Sequence, residues 1–148
     1  MGINERINAR FKSEHHKAIV NIRYTSNWMM NRQNNQLANF GLSLPQFNIL
    51  RILRGAKSEL NIKKVKERML EQSPNTTRLI DKLITKDLVE RRRCDSDRRI
   101  VFLKISKEGE KLLDRIDPHF DEINLEGSLS FEEAQTLNAL LDKIRADV

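Results

Sequence analysis

Five arginines, Arg91-Arg92-Arg93 and Arg98-Arg99, bracket the polar stretch Cys94-Asp95-Ser96-Asp97. Guanidinium groups at that density suit a polyanion, because each offers a planar fork of donors to a phosphate or a base edge. Just upstream, Ser73, Asn75, Thr77, Arg78 and Lys82 form a second polar set. Arginine can pair bidentately with guanine and asparagine with adenine, while threonine offers a hydroxyl and a methyl. The sequence sets out no glycine-rich phosphate loop, no nucleophile beside a base and no paired carboxylates, so neither an enzyme nor a cofactor is expected. His15 and His16 are adjacent and would diverge by about 100° on a helix, so no metal site is expected either.

Positioning these groups requires elements, and the chain punctuates itself sparingly, with three prolines and five glycines in 148 residues. From Ile7 to Phe40, apolar residues recur at three- and four-residue steps, which predicts one long or slightly broken helix ended by Gly41. Ser43-Leu44-Pro45-Gln46 has the pattern of a capping box and opens a helix expected to stop at Gly55. Asn61 suits the N-cap of a short helix, Ile62 to Leu70. Ser73-Pro74 suits the start of the next, which runs to about Lys86. The period then changes: Val89 to Arg93 and Ile100 to Ile105 read as two strands of a hairpin with a polar tip. Ser106 caps a helix whose apolar pattern continues past Pro118, where a kink or interruption is expected, and Ser130 with Glu133 opens the last helix.

The fold class expected is mainly α with a small β-hairpin wing, a winged helix-turn-helix flanked by N- and C-terminal helices. At about 100° per residue, Leu79, Ile80, Leu83 and Ile84 define the inward side of the fourth helix. Thr76 projects inward with them, Arg78 nearly opposite, and Asn75 and Thr77 on the flanks. An ordinary amphipathic helix also has a polar outer face. The arginine-bearing hairpin directly after it favours duplex DNA, since a wing tip carrying arginine can enter the minor groove. Asp95 and Asp97 are expected to pair with neighbouring arginines and hold the loop. The net charge of +6 agrees with a polyanionic partner. No apolar run approaches a membrane span and the first residues are polar, which makes the cytoplasm the expected compartment.

The run from Ser73 to Leu113, SPNTTRLIDKLITKDLVERRRCDSDRRIVFLKISKEGEKLL, resembles the core of the multiple antibiotic resistance regulator (MarR) family. The resemblance spans residues 42–113 and rests on the Ser-Pro start, Thr77-Arg78-Leu79, Leu88-Val89-Glu90-Arg91, Asp97-Arg98-Arg99 and Ser106-Lys107-Glu108-Gly109. It implies one MarR-like domain over residues 1–148, with dimerisation helices at 7–41 and 107–148 and the winged helix-turn-helix at 43–106. It also implies a homodimeric repressor on a pseudo-palindromic DNA operator, released by a small aromatic or phenolic ligand in a cleft between the dimer helices and the reading head. By position, Asn75, Thr77 and Arg78 match the base-reading helix, and Asp97 and Arg99 the wing pair. Tyr24 and Trp28, one turn apart, are candidate pocket residues, with core or dimer packing as the alternative. The sequence departs from the family at Asp87, where glycine is usual, and at Thr76, where an aliphatic residue is more frequent. Two other readings stay open: a winged-helix protein-interaction module, and a redox-sensing regulator acting through Cys94, the single cysteine.

Overall fold

The computed structural model describes residues 2–69, 75–120, 123 and 127–146. In chain order the elements are α1 (Ile3–Ile7), α2 (Glu14–Ala38), α3 (Leu44–Ala56), β1 (Leu60–Asn61), α4 (Ile62–Arg68), α5 (Thr76–Thr85), β2 (Val89–Arg93), β3 (Val101–Ile105), α6 (Lys107–Ile116) and α7 (Phe131–Ala146).

The helix expected over Ile7 to Phe40, long or slightly broken, is α2, which begins only at Glu14; Ile7 instead ends the separate short helix α1. Asn8 closes α1 in the left-handed conformation (φ +47°), and the Ser13 hydroxyl opens α2 by accepting from the His16 amide at 3.1 Å. Asparagine tolerates that conformation better than most residues, so a helix ends there without glycine or proline. At the far end of α2, the Asn34 side chain donates to the Met30 carbonyl (2.9 Å) and accepts from the Leu44 amide (2.7 Å), satisfying the first turn of α3. The Ser43–Gln46 capping box forms with both hydrogen bonds. α3 passes through Gly55 rather than stopping there. A Cβ at Gly55 would meet nothing, and Lys57 takes the left-handed cap instead (φ +52°).

α3 is the centre of the fold. Phe47, Ile49, Leu50 and Leu53 are buried, and the helix packs against α2, α4, α5, α6 and β3. The sheet has the order β1-β3-β2, all antiparallel, with Arg93 opposite Val101 and Val89 opposite Ile105. Sequence pattern alone predicts two strands; the third, β1, is only Leu60–Asn61 paired with Leu103 and Phe102. Asn61 also caps α4, its Oδ1 accepting from the Lys64 amide at 2.8 Å. The apolar pattern after Pro118 does not extend α6 within the described residues. That helix ends at Ile116, Asp117 caps it and pairs with Arg54 at 2.8 Å, and Phe120 turns back onto Phe47 with ring centroids 4.6 Å apart.

The exit from α5 is a Schellman motif: the Leu88 amide donates to the Leu83 carbonyl (3.0 Å) and the Asp87 amide to that of Ile84 (2.9 Å). Asp87 occupies the left-handed position (φ +58°), the place where the resemblance implied glycine. Directly against it, Ser106 caps α6 by accepting from the Gly109 amide at 3.0 Å. A Cβ at Gly109 would lie 2.3 Å from the Leu88 carbonyl oxygen and 2.7 Å from Ile105 Cγ1. Backbone cannot yield as a side chain does, so Gly109→Ala should destabilise the protein by about 2–3 kcal/mol. Denaturant unfolding measures this, and a midpoint equal to wild type would mean that α6 shifts off Leu88 at no cost.

Candidate nucleic-acid interface

α5 divides cleanly into two faces. Ile80, Leu83 and Thr76 are buried, the last only 1% exposed with its Oγ1 3.9 Å from Met69 Sδ. Asn75, Thr77, Arg78, Asp81, Lys82 and Thr85 are exposed. The helix begins at Thr76 with Asn75 at its N-cap position; the Ser73–Pro74 start, and Ser73 as a candidate contact, lie outside the described residues. Asn75, Thr77 and Arg78 therefore occupy the first turn, on the side away from the core. Among the described residues the Arg78 and Lys82 side chains have no hydrogen-bond or ion-pair partner, so their donors face solvent.

The wing sorts its arginines. β2 alternates, so Arg91 and Arg93 follow Val89 on the face toward α5 while Arg92 lies on the opposite face. Arg91 Nη1 is 3.7 Å from Asp81 on α5. Arg92 makes two hydrogen bonds to Glu59, at 2.8 and 3.2 Å, and its guanidinium sits 5.1 Å above the Phe102 ring. That partner holds the Glu59 carboxyl below the usual carboxylate range, chiefly through the Arg92 hydrogen bonds. Asp97 closes the tip, accepting from the Arg99 backbone amide (3.0 Å) and from its Nε (3.4 Å). Asp95, expected to pair as well, has no ion pair among the described residues. Among those residues Arg93 and Arg98 carry side chains with no partner, so they are the wing cations left for a ligand.

A third basic surface, not anticipated from the sequence, lies on α4. Lys63, Lys64, Lys66 and Arg68 are exposed there around the buried Val65. The run Lys63-Lys64-Val65-Lys66 is its sequence signal, overshadowed by the arginines downstream. A helix in this position of a helix-turn-helix crosses the phosphate backbone.

Residues 42–101 match the sequence model of the MarR family. The HTH-type transcriptional regulator MhqR of Bacillus subtilis (strain 168) is 30% identical over 113 residues, covering 75% of this chain and 77% of its own. The chain belongs to the MarR family. The HTH-type transcriptional regulator MgrA of Staphylococcus aureus is 29% identical over 123 residues, 82% of this chain and 83% of its own. In structure the chain is similar to a MarR-like transcription regulator from Bacillus cereus ATCC 10987, with TM-score 0.78, 20% identity, and 91% and 98% of the two chains covered. It is likewise similar to a mutant of E. coli MarR complexed with operator DNA, with TM-score 0.74, 21% identity and 92% and 99% covered. These likenesses make the fold a MarR-type winged helix.

Tyr24 and Trp28 of this MarR-family chain do line a cleft, of about 420 Å³, together with Gly2, Ile3, Arg6, Asn21 and Thr25. The cleft lies between α1 and α2, and no residue of the reading head lines it, which differs from the place the resemblance implied. Among the described residues no group of three His, Cys, Asp or Glu stands close enough to hold a metal ion, and no helix is long and apolar enough to cross a membrane.

Cys94 stands at the base of the wing tip, half-buried, its Sγ 3.1 Å from Ser96 Oγ. Hydrogen bonding from the Ser96 hydroxyl lowers its pKa, helped by the Asp97 and Ser96 backbone amides and by the Arg92 charge. A lowered thiol pKa means that thiolate accumulates at a lower pH than for an ordinary cysteine. Ser96→Ala removes the largest cause, so the inflection in the pH profile of Cys94 alkylation by iodoacetamide should move up. An unmoved profile would show that the hydroxyl is not responsible.

Proposed function

We propose that the chain is a cytoplasmic, homodimeric repressor that reads a pseudo-palindromic operator with α5 and the wing. The carrying observation is the exposed first turn of α5, where Asn75, Thr77 and Arg78 stand clear of an apolar back. Wing tip and α4 flank that turn with Arg93, Arg98, Lys63 and Lys64, all exposed. Bases are read by the first group and phosphates by the second. Asp97 gives the tip its shape and presents Arg98 and Arg99 to the minor groove, the Arg99 side chain being 94% exposed despite its contact with Asp97.

Dimerisation follows from what the single chain leaves uncovered. α7 has no buried residue, and its Phe131, Leu137, Leu140 and Ile144 are exposed, Phe131 by 78%, together with Ile19 and Ile22 on α2. Apolar faces of that extent mark an interface. A two-fold dimer of winged heads places its two reading helices one DNA turn apart, which is why the operator should be pseudo-palindromic.

Arg78→Ala should weaken operator binding by about 1–3 kcal/mol and relax preference at one base position. Lys64→Ala should weaken all sequences alike and make the slope of log affinity against log salt shallower by about 0.9 for each phosphate it no longer neutralises. Fluorescence anisotropy on operator variants across a salt series separates the two; wild-type behaviour of Arg78→Ala would remove α5 from the reading role.

The cleft between α1 and α2 supports a ligand response. Two aromatic rings line it, with Arg6 the charged side chain among the described lining residues, which suits an aromatic ring bearing an anionic group. Trp28 is the only tryptophan and is 45% exposed, so it reports on its own site. Titration with benzoate should quench its emission saturably while DNA affinity falls; DNA release with unchanged emission would place the ligand elsewhere.

A further inference from the structure

We propose that Glu59 is a positioning residue for the wing, strapping the hairpin to the helix-turn-helix so that tip and α4 meet DNA as one rigid surface. The inference rests on the DNA-reading role proposed for α5 and the wing. In the sheet order β1-β3-β2, Glu59 immediately precedes β1 and Arg92 lies on β2, with β3 between them. The Arg92 side chain crosses the outer face of β3, passing over the Phe102 ring at 5.1 Å, and closes a two-pronged bond with Glu59 at 2.8 and 3.2 Å. One side chain thus spans all three strands.

Such a strap matters because β2 is exposed beyond the buried Val89, so attachments toward the tip are slight. β1 offers two residues to β3, and a two-stranded ribbon is by itself marginally stable. On the opposite face Val89, Leu103 and Ile105 pack the base of the hairpin into the core, and farther along β2 the ion pair to α5 is the looser Arg91–Asp81 contact at 3.7 Å. The strap adds another anchor and runs it to α4, since Glu59 continues through Leu60 into Asn61, whose side chain caps that helix. Groups facing the pair are Lys104 on β3, which adds to the field on Glu59, and Asp95 and Cys94 just past the end of β2, which add to that on Arg92. Neither partner is buried, the side chains being 37% and 53% exposed. Its contribution to global stability is therefore small, and its effect falls on orientation.

The sign of one substitution separates this role from simple electrostatics. Glu59→Gln makes each chain one unit more positive and frees a guanidinium. By field alone it should tighten binding to DNA and steepen the salt slope. A strap predicts the reverse: operator affinity falls on the order of tenfold and the slope becomes shallower as the wing lets go of its phosphates. Guanine N7 protection by α5 persists while hydroxyl-radical protection of the flanking minor groove weakens. Arg92→Lys, which keeps the charge but not the fork, should behave the same way to a lesser degree. Arg92→Gln should match Glu59→Gln, and the double variant should be no worse than either. Tighter binding by Glu59→Gln, an unchanged minor-groove footprint, or a double variant whose deficit is the product of the two single ones would each overturn the proposal. If wild-type protein protected no DNA, the DNA-reading role would fail instead. The thermal midpoint of each variant, expected within a few degrees of wild type, shows that folding is not what the footprint reports.

Discussion

Everything that reads and everything that assembles meets at the carbonyls of Asp87 and Leu88. The Ser106 hydroxyl donates to the Asp87 carbonyl (2.6 Å), and the Ser106 amide donates to that of Leu88 (3.1 Å). The same hydroxyl accepts from the Gly109 amide, and Gly109 packs so closely on Leu88 that no side chain fits between them. Four elements are thereby joined in one place: the exit of α5, the start of β2, the end of β3 and the first turn of α6. A second tie runs from the end of α5 to the end of α2, where Lys86 Nζ donates to the Gly41 carbonyl at 2.5 Å. The reading helix is thus fixed between α2, which carries the exposed Ile19 and Ile22, and α6, which precedes α7 in the chain. Such a close approach of backbone to backbone has little compliance, so a reorientation of α6 must carry α5 with it.

The acidic residues of the head act by subtraction. Asp81, Glu59 and Asp97 each engage one wing arginine, and in doing so they decide which cations remain outward. As stabilising terms these exposed pairs are worth little. Their consequence is in recognition, since among the described residues the wing arginines left without partners, Arg93 and Arg98, sit at the end of β2 and at the tip rather than along the whole hairpin. Phosphate contacts made at fixed points set the register of the reading helix, whereas a uniform basic strip would only raise affinity for any duplex.

How far these features were legible in the sequence depends on their range. The two hairpin strands, the Ser43 and Ser106 caps and the inward place of Thr76 all follow from periods of two or 3.6 residues and from local hydrogen bonds. The separate α1 and the start of α2 at Glu14 escaped because their signals, Asn8 and Ser13, are polar residues in a charged run with no change of period. β1 escaped because two residues carry no alternation and one of them doubles as a helix cap. Gly55 misled for the opposite reason, as a glycine with no conformational need for being one. Pairings across 33 residues, such as Arg92 with Glu59, leave no local trace; only the folded sheet brings them together.

Within the single chain the winged head is closed around a core centred on α3, whereas α7 is not covered and leaves every described side chain at least partly open to water. Covering that helix with a second copy couples assembly to recognition, because α6 leads from the Leu88 junction toward α7. A dimer binds as two heads on one site, so the second head engages at an effective concentration set by the rigidity of the connection rather than by bulk protein. Rigidity at the Leu88 junction and at the wing therefore acts twice, once within each head and once in the spacing between them.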